Sequence, residues 1–314
     1  MEKQKNPMAF PTKKEFIIVA CGTLLFFILT GLFIGIRVDH VALIGLFLAL
    51  FFASGPTRKL AIALIPFMVF GISYDWMRVF PNYEVNPIDV KGLYETEKAL
   101  FGIPVNGQIL TPNEYFALHN WKVMDFLSGI FYLCWVPVPM LFGVWLYIKG
   151  ERELYLRLAL VFLFVNFIGF AGYYIHPAAP PWYVMMHGFE PILNTPGETA
   201  GLARFDAVTG LNIFGSIYSR NANVFAAVPS LHSAYMIMPV YYAVVRKSNP
   251  LLVILLSVIL VGIWFTAVYT AHHYVIDVLL GILCALLGLF IFEKGLLRIP
   301  GFRRFFDTYY RYIR

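Results

Sequence analysis

Eight long apolar runs decide what this chain can become. They cover residues 16–36, 41–53, 60–74, 124–148, 158–175, 229–245, 251–271 and 274–292, and only Asp125, His232 and Asp277 place an Asp, Glu, Lys, Arg or His inside them. A run of about 20 apolar residues crosses a bilayer as a helix. The expected fold is therefore all-α, a polytopic membrane bundle of about eight spans. Composition agrees: the chain is 60% hydrophobic and 13% charged, against about 25% charged in a soluble domain. That balance argues against a water-soluble globule and against a disordered chain.

The runs at 41–53 and 60–74 are short. They read either as tilted spans or as one hairpin that does not cross, and later orientation is the same in both cases. The run at 16–36 follows Lys13 and Lys14 but is longer than a signal-peptide core, so it reads as an uncleaved anchor. Basic residues set the orientation. With the N-terminus inside, all 24 Lys and Arg fall on the cytoplasmic side except Arg37, Arg78, Lys91, Lys98, Lys122, Arg204 and Arg220. The net charge of +6 then belongs to loops facing anionic lipid, and no nucleic-acid partner is expected. Cys21, Cys134 and Cys284 lie far apart in apolar stretches, without metal-ligand spacing.

Three parts follow from this layout: N-terminal spans over 1–57, a six-helix core over 58–295, and a basic aromatic tail over 296–314. The tail mixes arginines with Phe302, Phe305, Phe306, Tyr309, Tyr310 and Tyr312, a composition that suits the cytoplasmic bilayer surface. Two outer segments, 75–123 and 176–228, are long. In the first, Thr111-Pro112-Asn113-Glu114 predicts a capped short helix, and 89–101 predicts an interfacial helix. The segment is either functional or a solvated cap over the helix ends.

All seven histidines lie in outer loops or at outer span ends. His273 and Asp277 are four apart, so on a helix they share a face. An acid inside a span is costly and points to function. The pair reads as an oriented nucleophile or base, or as a lock between two helices. Pro229-Ser230-Leu231-His232 enters the next span, where Pro229 fits a first helical turn. There, free N–H groups and the Ser230 hydroxyl predict an anion cradle one turn before His232. Together these groups suit phosphoryl transfer through a phosphohistidine. His273 attacks phosphorus, Asp277 orients it, and His232 serves as acid and then base. No cofactor and no metal are expected for such chemistry. An anionic transition state calls for cations, so at least one of Arg78, Arg204 and Arg220 is expected to reach the phosphate.

Pro229-Ser230-Leu231-His232, followed by His273 and Asp277, resembles the second and third motifs of the type 2 phosphatidic acid phosphatase superfamily. The resemblance implies a six-helix core with its active site at the outer membrane face, the first two spans being additions. Two positions depart from the pattern. The superfamily's phosphatases carry Lys, six residues, then Arg-Pro; here the Lys place is Gly169 and the Arg-Pro place is His176-Pro177. Their Ser-Arg before the third-motif histidine is Thr266-Ala267 here. The departures point to a branch. Ala179-Pro180-Pro181-Trp182-Tyr183, the run from Phe225 to His232, and Tyr269-Thr270-Ala271-His272-His273-Tyr274 resemble the inositol phosphorylceramide synthases, the fungal target of aureobasidin and its bacterial relatives. The absence of long tails suits a bacterial member.

The resemblance implies transfer of phosphoinositol from phosphatidylinositol to ceramide, with release of diacylglycerol. Both lipids enter sideways from the outer leaflet. His176, His272, Trp182 and Tyr183 are expected around the substrate, the two aromatics as walls at the interface that exclude water. For a bacterial chain the site faces the periplasm from the inner membrane; for a eukaryotic one it faces the Golgi lumen. Two other readings differ in kind. A lipid phosphatase acting on phosphatidic acid or a polyprenyl pyrophosphate would use the same triad with water. A non-enzymatic transporter would show internal repeats and polar residues at mid-membrane, and neither is visible here.

Overall fold

The computed structural model describes residues 10–219 and 223–314. Each predicted apolar run falls mainly on helix. The N-terminal hairpin is α1 (Lys13–Phe33) and α2 (Val38–Ala53). The chain then turns at Ser54, whose hydroxyl caps α3 (Gly55–Ala63), and continues at a 44° bend into α4 (Ile65–Trp76). Pro66 stands in the first turn of α4, where its missing N–H is harmless. The outer segment follows, with α5 (Lys91–Phe101), β1 (Ile103–Val105), β2 (Gln108–Leu110) and α6 (Pro112–Leu118). The hairpin is the one strand pair among the described residues, and it forms because Asn106-Gly107 accepts positive φ at both turn positions.

Next come α7 (Lys122–Leu133) and α8 (Pro137–Ile148), bent by 45° where Pro137 starts the second piece, and then α9 (Arg152–Ile175). The second outer segment carries α10 (Pro181–His187), α11 (Ala203–Thr209) and α12 (Ile213–Tyr218). The chain re-enters through α13 (Leu231–Tyr235) and α14 (Ile237–Val245), then α15 (Pro250–Tyr269), α16 (Val275–Phe290) and finally α17 (Pro300–Ile313). Pro239 cannot donate to the carbonyl one turn back, which explains the break between α13 and α14.

Among the described residues, four helices are long and apolar enough to cross a membrane, and up to six spans result if each bent pair counts as one. Helix α2, with 16 residues, reaches about 24 Å at ~1.5 Å per residue, short of the ~30 Å hydrocarbon core. The bundle is built around α9, which buries most of its length against α4, α8, α14 and α16. Small residues let backbones approach: a Cβ on Gly281 would lie 2.0 Å from the Ser230 carbonyl oxygen. Helix α1 stays largely exposed to the surroundings, which fits a peripheral addition.

The two long segments, 75–123 and 176–228, are joined to each other. Extended residues Asp89, Ala178 and Ala226 pair side by side, and Asn82 Nδ2 donates to the carbonyls of Tyr173 and Phe225 at 2.8 Å each. At the opposite end the tail differs from expectation. Helix α17 does not simply lie on a bilayer surface: it buries Phe306 and Ile313 against the bundle. Its end is held by Arg152 on the Ile313 carbonyl (3.0 Å) and by Tyr312 on Glu15 (2.6 Å).

Candidate active site

The turn between α15 and α16 shapes the site. Ala271 adopts a left-handed φ of 59°, which brings the N–H groups of both His272 and His273 back onto the Ala267 carbonyl at 3.1 and 2.9 Å. Asn113 of α6 clamps the turn from outside, its Nδ2 donating to the carbonyls of Val268 (2.8 Å) and His273 (2.9 Å). Asp277 takes the Tyr274 N–H on Oδ2 at 2.9 Å, so the carboxylate is fixed as the α16 turn begins.

The contacts of His273 settle its tautomer. Its Nδ1 lies 3.1 Å from the Ala227 carbonyl oxygen and 3.4 Å from Asp277 Oδ2. Both partners are acceptors, so the ring proton sits on Nδ1. Nε2 is left without a proton, and 3.0 Å from it stands Nδ1 of His232. His232 Nδ1 must therefore donate. It also lies 3.2 Å from the Tyr132 hydroxyl, which accepts from Tyr218 at 3.2 Å. The Trp135 ring meets His232 edge-on at 4.3 Å.

Helix α13 delivers His232 through backbone ties. The Ser230 N–H donates to the Asp277 carbonyl at 3.0 Å, and Trp264 Nε1 donates to the Ser233 carbonyl at 2.8 Å. The histidine pair faces a cavity of about 100 Å³ walled by Tyr132, Trp135, Trp182, Tyr218 and His272. His272 is stacked on Tyr218, ring centroids 4.5 Å apart, and its Nε2 donates to the Thr199 carbonyl at 3.1 Å. Burial, reinforced by neighbouring His273, pushes its pKa down to about 3. His272 is thus a neutral wall with a bare Nδ1 rather than a cation.

The structure brings His232, His273, Asp277, His272 and Trp182 together and sends the other expected residues elsewhere. At the expected anion cradle, α13 begins at Leu231, the Ser230 N–H donates to the Asp277 carbonyl, and the Ser230 hydroxyl accepts from Ser233 at 3.0 Å. Tyr183 is buried and does not wall the cavity; it accepts the Ile192 N–H and donates to the Glu190 carbonyl. His176 is half-exposed, 3.3 Å from Asp89. Arg204 does not reach the cavity: its Nε binds Asp125 at 2.6 Å and its guanidinium covers the Tyr269 ring. Arg78 does not reach it either, lying 3.0 Å from Asp75 beside Arg37 and His40. Arg220 lies outside the described residues. At Gly169 a Cβ would meet the Leu231 side chain at 2.4 Å, so a side chain where the phosphatases place their lysine would have to displace Leu231.

Sequence reasoning missed Tyr132, Trp135, Tyr218 and Asn113. The only local signal was the capping box that starts α6, with Thr111 and Glu114 bonded reciprocally.

A histidine pair on an orienting acid, at one end of an α-helical membrane bundle, is a site for phosphorus chemistry on lipids. The chain belongs to the PAP2 superfamily, which matches residues 107–291. It is 64% identical over 304 residues, covering 97% of this chain and 100% of the relative, to a phosphoinositol dihydroceramide synthase of Bacteroides thetaiotaomicron. It is 27% identical over 239 residues (75% of this chain, 57% of the relative) to the catalytic subunit of inositol phosphorylceramide synthase of Saccharomyces cerevisiae. Identity to the inositol phosphorylceramide synthase of Candida albicans is 28% over 208 residues, 66% of this chain and 42% of the relative. No solved structure matches.

Proposed function

We propose that the protein moves phosphoinositol from phosphatidylinositol to the primary hydroxyl of a ceramide-type lipid through a phosphohistidine on His273. The relative from Bacteroides is named for dihydroceramide, and that saturated acceptor is the one we assign here. The observation that carries the mechanism is the unprotonated Nε2 of His273, fixed by two acceptors on Nδ1.

In the first half-reaction a bond forms between Nε2 and phosphorus as the bond from phosphorus to the diacylglycerol oxygen breaks. His232, protonated beside the anionic phosphodiester, gives its proton to the departing alkoxide. In the second, the acceptor hydroxyl attacks phosphorus, the N–P bond breaks, and His232 takes the hydroxyl proton. Asp277 stabilises the charge that develops on His273. The aromatic walls keep water from competing with the lipid acceptor. His272 offers an acceptor to a headgroup hydroxyl. The distribution of basic residues supports a site on the periplasmic face of the inner membrane.

The test is purified protein in detergent with phosphatidylinositol and dihydroceramide. Inositol phosphoryldihydroceramide and diacylglycerol should appear in equal amounts. Steady release of inositol phosphate without acceptor would make the protein a hydrolase instead.

A further inference from the structure

We propose that Glu97, reaching in from the first outer segment, is a positioning residue for the histidine pair: its carboxylate fixes the first turn of α16 and, through it, the His273–Asp277 geometry. The inference rests on the reading of His273 as nucleophile. Glu97 is fully buried. One of its oxygens accepts the Val275 N–H at 2.9 Å and the other the Ile276 N–H at 3.1 Å. These are the first two N–H groups of α16, which a helix leaves unpaired. The residue at the local cap position, Tyr274, makes no side-chain cap bond. The cap is therefore supplied from a helix 178 residues earlier in sequence.

This arrangement has a consequence for Asp277, the third residue of the same turn. With Val275 and Ile276 already satisfied, the Asp277 carboxylate is not drawn to them and stays on Tyr274 and His273. A cap for stability alone needs only a Ser, Thr or Asp at the N-cap. A second buried carboxylate beside Asp277 is costly: burial, with Asp277 adding to it, raises Glu97 to about 7, while its two N–H partners pull it down. Tyr274 adjoins it, with Tyr94 and Glu114 beyond. Helix α5 holds Glu97 there by burying Leu93, one turn earlier, against the same apolar cluster as Tyr274.

The experiment compares Glu97→Gln and Glu97→Ala in the full-length purified protein. Transfer kinetics are one readout. The other needs no lipid: acylation of His273 by diethyl pyrocarbonate, mapped by mass spectrometry with exposed His119 as internal reference. Glu97→Gln keeps shape but offers only one acceptor. It should lower kcat and His273 acylation about tenfold, with KM and His119 acylation unchanged, because small misplacements cost this much. Glu97→Ala should lower both further; should it not fold, the isosteric Gln variant carries the test. A fall in Tm with kcat and His273 acylation unchanged would overturn the proposal and leave a structural cap. If His273 acylation falls while His273→Ala keeps full transfer, the positioning stands and the nucleophile reading fails.

Discussion

The two ends of this bundle solve opposite problems. At the end that carries the tail helix, the inner one in the expected orientation, charge anchors. Arg157 bridges Glu153 (2.9 Å) and Glu293 (2.6 Å), Arg246 Nε holds Glu151 at 2.6 Å, and the tail helix is strapped to its neighbours. At the outer end, buried polar side chains bind backbone. Asn82 and Asn113 each donate to two carbonyls and Glu97 accepts two N–H groups. Arg37, Arg78 and Arg204 are parked on acids away from the cavity, Arg204 on Asp125. The difference teaches what each end is for. The ion pairs keep partial exposure and, being screened, contribute little, whereas saturated backbone bonds hold two imidazoles at 3.0 Å.

Breaking the outer end at its centre should have the largest effect. His273→Ala and His232→Ala should each lower transfer at least about a thousandfold with melting temperature preserved; a loss under tenfold in either would place the chemistry elsewhere. Asn113→Ala comes next. It leaves the Val268 and His273 carbonyls short of a partner, which costs about 1–3 kcal/mol, and should lower kcat about tenfold. Thermal melts and steady-state kinetics check both numbers, and an unchanged kcat would reduce Asn113 to a fold residue.

How these residues were legible differs by distance along the chain. His273 and Asp277 stand one helical turn apart and His232 sits in a short motif, so their chemistry could be read from local spacing. Asn113 acts on His273 from 160 residues away, and only the docking of α6 aims it. The arginines misled for the reverse reason. Sequence shows a charge but not its partner, and Arg204 finds Asp125 79 residues earlier. The membrane bundle itself was legible because hydropathy over a whole span leaves few alternatives. The break after Tyr235 traces to Pro239 within its own run, whereas the docked tail depends on packing that no single run encodes.

A smaller effect separates two outer groups by the sign of their pH dependence. Glu97 is raised from 4.5 to about 7. Its stability contribution is present below about 4.5 and lost as pH rises through about 7, because the native state holds a proton that the unfolded state has released. His272 is lowered from 6.5 to about 3. Its contribution is present above about 6.5 and lost as pH falls toward 3. Between pH 4.5 and 6.5 the two oppose each other. Glu97→Gln should then melt lower as pH falls through that window, and His272→Phe should melt lower as pH rises. Parallel slopes in the two variants would contradict both assignments. Smallest of all, Arg246→Ala at the inner end should cost under about 1 kcal/mol and leave transfer within twofold. A tenfold loss of activity would mean the inner end also positions the site.

The most direct test traps the intermediate. Purified protein is mixed with phosphatidylinositol alone, quenched in base, and the adduct mapped by mass spectrometry. The account predicts an acid-labile, base-stable phosphoinositol adduct on Nε2 of His273 that disappears when dihydroceramide is added and is absent in His273→Ala. Turnover with no adduct on His273, or an adduct on another residue, would contradict it.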